Sequence, residues 1–236
     1  MSVVGEESMR IVTVFLFLLA GLTGVPSCAC AQLSTPPGRA AADSSPWFVW
    51  NSHDFFGPCA GDCSAAVFGG REITTPMSSV FLIHNPVAPW NVETGNAAVI
   101  ATAITRSFAT IFGGLDMEAE AGIDQCLGDM HATTGWLAVD FRWTRFPWND
   151  FVTTTIALAD GPSMASEIDR EERVRSQNGR GSDLLNYASP EITFSLPDRP
   201  EAELVLRYQH RSGIFGLING VDEASSFACI GFRQRF

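Results

Sequence analysis

Past residue 46 the chain alternates apolar and polar positions over stretches of about ten residues, broken by Gly, Pro, Asn and Asp; this is the period of strands and not of helices. Leu137, Val139, Phe141 and Trp143 fall on one face, and Ala138, Asp140, Arg142 and Thr144 on the other. The same division separates Met117, Ala119, Ala121 and Ile123 from Glu118, Glu120, Gly122 and Asp124. It also separates Leu204, Leu206 and Tyr208 from Glu203, Val205, Arg207 and Gln209. In the last segment Ala228, Ile230, Phe232 and Phe236 oppose Cys229, Gly231, Arg233 and Arg235.

This alternation predicts strands at 77–84, 97–112, 115–124, 135–144, 151–159, 190–196, 202–212 and 226–236. Their connections differ in character. Gly113-Gly114, Arg145 to Asp150 and Pro197 to Pro200 are short, whereas 85–96, 125–134, 160–189 and 213–225 are longer. Short turns on one side, longer loops on the other and an even strand number define an all-β, antiparallel up-and-down transmembrane β-barrel. Eight strands are expected, or ten if Trp47 to Trp50 and Ala65 to Phe68, in the otherwise unassigned stretch 46–70, add a pair. A soluble β-sandwich would alternate as well. What separates the two is the polar face, where Glu118, Glu120 and Asp124 stand mid-strand against Arg142, Arg207, Arg233 and Arg235. Opposite charges of this kind suit a polar lumen in which they pair. Trp90, Trp143, Phe146, Trp148 and Phe151 lie near turns, where an interfacial aromatic girdle belongs.

Composition narrows the class further. Of the 236 residues 46% are apolar and 17% charged, which excludes a disordered chain. A net charge of −11 argues against nucleic acid as a partner, since phosphate binding needs clustered positive charge. All 15 basic residues are arginine. Residues 1–31 read as a signal peptide: Arg10, the apolar run Ile11 to Ala20, and small residues ending Ala29-Cys30-Ala31. Residues 32–45 read as a flexible leader, and 46–236 as an outer-membrane β-barrel domain. Beyond the signal no apolar run reaches the roughly 18 residues of a membrane-spanning helix. Export places Cys59, Cys63, Cys126 and Cys229 in an oxidising compartment, and Cys59-Ala-Gly-Asp-Cys63 fits a small disulfide loop. A metal reading there has only His53 and Asp62 nearby. No Gly-rich phosphate loop or metalloprotease motif occurs, so neither a cofactor nor a metal is expected.

Chemistry concentrates in Leu204-Val205-Leu206-Arg207-Tyr208-Gln209-His210-Arg211-Ser212-Gly213. Parity puts His210 and Ser212 in the row of Leu204, Leu206 and Tyr208, the lipid-facing row, at the extracellular end of an ascending strand. Unpaired polar groups against hydrocarbon are costly, so their presence asks for a role. Side chains two apart on a strand are neighbours, and an imidazole beside a hydroxyl is the beginning of a His-activated Ser nucleophile. Asp222 and Glu223, in the next loop, are carboxylates available to orient the imidazole. The plainer alternative is an interfacial His beside a Ser that starts a loop. Elsewhere, Glu167 to Arg175 mixes signs and reads as a solvated extracellular face, with its arginines and Arg180 positioned to touch lipid phosphates. Glu118, Glu120 and Asp124 share a face on which a cation could sit, although pairing with lumen arginines competes with it. His84 and His131 have no evident ligand partners.

The run His210-Arg211-Ser212 on the penultimate strand, an acidic loop and a last strand ending in Phe236 resembles the outer-membrane lipid A deacylases. These are eight-stranded acyloxyacyl hydrolases with a His-x-Ser-Asn motif. The resemblance covers the C-terminal strands and the general barrel pattern. It implies an outer-membrane location, lipid A of lipopolysaccharide as partner, and hydrolysis of its ester-linked acyl chain at the 3-position. It further implies Ser212 as nucleophile and His210 as base, with a downstream acid, Glu223 or Asp222, orienting the imidazole. Gly213 stands at the family's Asn, leaving backbone N–H groups as oxyanion donors. Aligning on the last strand brings Ala224 or Ser225 to the acid's position, and Gln234 replaces the usual aromatic two residues before the end. A non-enzymatic barrel, structural or adhesive through loop 160–189, is the alternative function.

Overall fold

β-branched and aromatic residues on every second position favour a pleated sheet with one apolar face. In the computed structural model, which describes residues 47–236 apart from 52–54, 82–84, 169 and 178, these segments form nine strands. They are β1 (Phe48–Trp50), β2 (Cys63–Ile73), β3 (Thr94–Ile111), β4 (Leu115–Leu127), β5 (Thr133–Trp143), β6 (Thr153–Ala165), β7 (Leu184–Leu196), β8 (Arg199–Ser212) and β9 (Ser225–Arg235). From β2 to β9 each strand pairs antiparallel with the next, and β2 pairs with β9 from Ser64↔Arg235 to Glu72↔Phe227, closing an eight-stranded ring. β1 is no stave of the barrel. It pairs only with the end of β3, Phe48 opposite Ile111. The signal peptide and leader expected at 1–45, with His53 and His84, lie outside the described residues.

Among the described residues two short α-helices accompany the strands, α1 (Met77–Val80) and α2 (Arg170–Arg175). The first corrects a sequence expectation. The apolar run predicted as strand 77–84 forms a helical turn at 77–80, entered through Pro76 with φ −52°. The eighth stave is β2, most of which falls in the stretch 46–70, so the count stays at eight. From β3 to β9 each strand also passes its expected bounds at one end, β4, β6 and β7 with the largest effect on the loops. β6 continues to Ala165 and β7 starts at Leu184, so that Pro162 pairs with Asn186 and the loop between them shrinks to 166–183. β4 extends to Leu127, leaving 128–132 as its connection to β5. Residues 112–114, 144–152 and 197–198 make the turns at one end, and 74–93, 128–132, 166–183 and 213–224 the loops at the other.

The barrel is inside-out relative to a water-soluble protein. Val67, Ile100, Ile104, Ile123, Leu137, Ile156, Ile230 and Phe232 are all exposed on its outer wall. Glu118, Glu120, Asp140, Arg142, Glu191, Glu203, Arg207 and Arg233 are buried inside. Such a wall is stable only against hydrocarbon. Staves of 11 residues and more reach or exceed the roughly 9–11 that a tilted strand needs to cross a bilayer. Inside, Arg142 reaches Glu118 at 2.9 Å, Asp140 at 2.7 Å and Glu191 at 3.0 Å. Arg233 holds Glu191 at 2.6 Å, Arg207 holds Glu120 at 2.6 Å, and Arg235 bridges Glu203 and Glu118. Nearer the long loops Trp136 stacks on Tyr187 at 4.8 Å and donates its indole N–H to Glu120. Gly122 makes room for that indole, because any side chain at 122 would collide with the ring.

Candidate functional site

The candidate residues lie at the long-loop end of β8 and β9. The β8–β9 ladder opposes Leu204 to Phe232 and Leu206 to Ile230, and continues to Tyr208↔Ala228 and His210↔Ser226. Outward parity then puts Tyr208, His210 and Ser226 together on the lipid side of the wall, with Ser212 next along β8. Unlike Leu204 and Leu206, these four side chains are buried. Part of the cover comes from the segment after β2. Phe81 meets the Tyr208 ring edge-on at 5.2 Å, and the Met77 N–H donates to the Glu223 carboxylate at 3.3 Å.

His210 makes its hydrogen bond across the ladder and not along its own strand. Nδ1 lies 2.8 Å from the Ser226 hydroxyl, and the Tyr208 ring is stacked beside the imidazole at 6.4 Å. Ser212 turns toward the loop that follows, where its hydroxyl accepts from the Ile214 N–H at 3.5 Å. Neither carboxylate of the sequence reading is brought to the imidazole. Asp222 is exposed on the loop, and Glu223 is half-buried against α1. Of the four residues singled out from sequence, therefore, His210 and Ser212 share the outward patch, while Asp222 and Glu223 stand in the loop above it.

Gly213 has a structural cause. The loop folds back at once, with the Ile218 N–H donating to the Gly213 carbonyl at 2.7 Å and the Ala224 N–H to the Arg211 carbonyl at 3.0 Å. A Cβ at 213 would collide with the carbonyl oxygens of Ile218 and Val221. An Asn cannot stand there without a different loop. Ser226 was missed by reading β8 alone. Carrying the Leu204/Phe232 and Leu206/Ile230 pairing up the hairpin was the signal that would have found it.

Other sequence candidates resolve differently. Cys59 and Cys63 are joined as a disulfide, which leaves no free thiolate for a metal there. Glu118 and Glu120 are engaged by arginines, while Asp124 accepts from the Gln209 amide at 3.2 Å. The stretch 167–175 is not wholly solvated. Glu172 of α2 is buried, pairs with Arg211 at 3.5 Å and accepts the Ser182 N–H at 2.9 Å. Arg173 and Arg180 are exposed on the same loop, and His131 is exposed between β4 and β5.

Fold and wall together define the class: a closed, eight-stranded transmembrane β-barrel with a charged, filled interior. No protein-family model and no curated protein sequence matches the chain. Among solved structures it is similar to a crystal structure of the outer membrane enzyme PagL, with a TM-score of 0.47 and 13% identity over 73% of this chain and 99% of that one. A crystal structure of Neisserial surface protein A (NspA) is similar at a TM-score of 0.46 and 13% identity, over 76% of this chain and 100% of that one.

Proposed function

We propose that the barrel resides in a bacterial outer membrane and hydrolyses an ester-linked acyl chain of lipid A, with His210 as general base. The observation that carries this reading is the imidazole's position: on the lipid side of the wall, at the long-loop end, within 2.8 Å of a serine hydroxyl. Polar side chains are expensive on such a wall, and a base–hydroxyl pair is the arrangement that ester hydrolysis requires. A lipid already lying along the barrel presents its ester at that height without leaving the membrane. Binding then reduces to lateral diffusion and orientation, so the bilayer supplies part of the positioning. The resemblance of His210-Arg211-Ser212 to the lipid A deacylase motif adds the substrate class.

The test is mass spectrometry of lipid A from a heterologous host carrying the barrel in its outer membrane. Loss of one hydroxyacyl chain with the wild-type protein, and intact lipid A with His210→Ala, is the expected result. Intact lipid A beside a folded, heat-modifiable wild-type barrel refutes it. A second reading, a structural or adhesive barrel, is favoured by the linked loops. Ser176 bridges Val221, the Gln177 N–H donates to the Gly220 carbonyl, and the Asn219 amide donates to Ser182. Loops 166–183 and 213–224 thus form one bonded platform.

A further inference from the structure

We propose that the nucleophile of this hydrolase, on whose reading the inference rests, is the Ser226 hydroxyl, with the Tyr208 hydroxyl as oxyanion donor. Two serines flank His210, and only one is within hydrogen-bond reach of its ring: Ser226, at 2.8 Å from Nδ1. The contact is fixed by strand register, since His210 and Ser226 are direct partners in the β8–β9 ladder. Ser212 is turned to the Ile214 amide instead. The second, independent observation is Tyr208. Its hydroxyl is buried beside Ser226 and, among the described residues, makes no hydrogen bond of normal geometry. A buried donor without a partner costs about 1–3 kcal/mol and is rarely left so without reason. Here it supplies what Gly213 cannot, a side-chain donor for developing negative charge.

With the ring proton on Nε2, Nδ1 accepts the Ser226 proton as Oγ attacks the ester carbonyl carbon. The new Oγ–C bond leaves a tetrahedral oxyanion, which takes a hydrogen bond from the Tyr208 O–H. Collapse breaks the bond to the sugar oxygen, and that oxygen leaves with the proton from Nδ1. Water then attacks the acyl-serine, giving its proton to Nδ1. Collapse of the second intermediate releases the fatty acid, and the proton returns to Ser226 Oγ. One ester and one water become one acid and one alcohol.

The full-length barrel, folded in detergent, is treated with a long-chain alkyl fluorophosphonate, and the adduct is located by fragmentation within the peptide that carries Ser212, Ser225 and Ser226. The expected adduct is on Ser226, present in Ser212→Ala and absent in Ser226→Ala, with heat-modifiability confirming that both variants fold. An adduct on Ser212 overturns the assignment while leaving the hydrolase reading intact. No adduct on any serine, together with intact lipid A, overturns both. Tyr208→Phe keeps the ring against Phe81 and removes only the hydroxyl. Its expected effect on a chromogenic long-chain ester is a loss of about 100-fold in kcat with KM little changed. An unchanged kcat removes Tyr208 from the site.

Discussion

Replacing Arg142 by Met tests whether the lumen is held by charge pairing or merely filled. Arg142 is fully buried and contacts three carboxylates, Glu118, Asp140 and Glu191, together with the Thr155 hydroxyl at 3.0 Å. Four guanidiniums, of Arg142, Arg207, Arg233 and Arg235, pair with five carboxylates, of Glu118, Glu120, Asp140, Glu191 and Glu203, leaving an excess of one carboxylate. Glu118 and Glu191 keep Arg235, Arg207 and Arg233 when Arg142 goes, but Asp140 has no other ion-pair partner among the described residues. The substitution therefore strands one buried carboxylate and widens the charge imbalance around it. Removing one partner of a buried pair costs about 3–5 kcal/mol, so Arg142→Met should fall in that range. Adding Asp140→Asn removes the stranded charge and restores the original excess of one carboxylate, so the double variant should recover at least about 1 kcal/mol. Urea titration of the barrel in lipid vesicles, followed by tryptophan fluorescence and by gel mobility without heating, measures both. A single variant that loses less than about 1 kcal/mol, the range of an exposed pair, would refute the argument, as would a double variant less stable than Arg142→Met.

Three further outcomes are expected. Phe81→Ala uncovers the outward patch, so diethyl pyrocarbonate should modify His210 several-fold faster, read at the peptide carrying that residue; an unchanged rate would show that Phe81 is not what shields it. Gly213→Asn should not improve activity but should loosen 213–224, because its side chain meets the Ile218 and Val221 carbonyls; a variant as resistant to proteolysis as wild type contradicts that. At the opposite end, the Ala60 amide and the Arg106 guanidinium hold the Asp62 carboxyl below its ordinary value of 3.8. A lowered value favours the folded contact above pH 3.8 and loses it as pH falls below. Amide protection factors across 55–62 should therefore be level from pH 5 to 8 and drop near pH 3, and protection that fades between pH 8 and 6 would assign the contact to another group.

The fold was legible where alternation carried charge. Arg142 and Glu118 were assigned to the lumen by parity alone, because a one-residue slip would have sent both into lipid. The first stave was not legible. β2 contains Ala65-Ala66 and Gly69-Gly70, poor strand formers read alone, and it forms because β3 and β9 supply partners on both sides. Met77 to Val80 carried the stronger local signal yet became a helical turn, since the ring was already closed without it. Pro190 blurred the start of β7. In the structure it falls where the β7–β8 ladder skips from Ala188↔His210 to Glu191↔Arg207, so its missing N–H interrupts pairing at that step only. At the site, the row holding His210 was readable from one strand, whereas its partner depended on a register between two. A hydroxyl 16 residues away cannot be found by spacing along one strand.

The filled lumen also decides where function can sit. Arg142, Arg207 and Arg233 occupy the interior with their carboxylate partners, each at most 4% exposed, and the Arg207 guanidinium lies over the Phe68 ring at 5.1 Å. Above them, towards the long loops, Trp136 stacks on Tyr187, both buried. Eight strands leave an interior just wide enough for such side chains. Opening a path would strip partners from several buried charges together, each at a cost of several kcal/mol. Reconstituted into a planar bilayer, the wild-type barrel should accordingly give no steady single-channel current, and vesicles carrying it should not admit small sugars. A persistent open level would mean that the network is not the resting state, and transport through the interior would then replace chemistry on the outer wall as the function to explain. With the interior closed, the surfaces left for work are the bonded loop platform and the outward patch of Tyr208, His210 and Ser226 beneath Phe81. Of these, the patch joins a base to a hydroxyl in a place where polar groups are otherwise unfavourable.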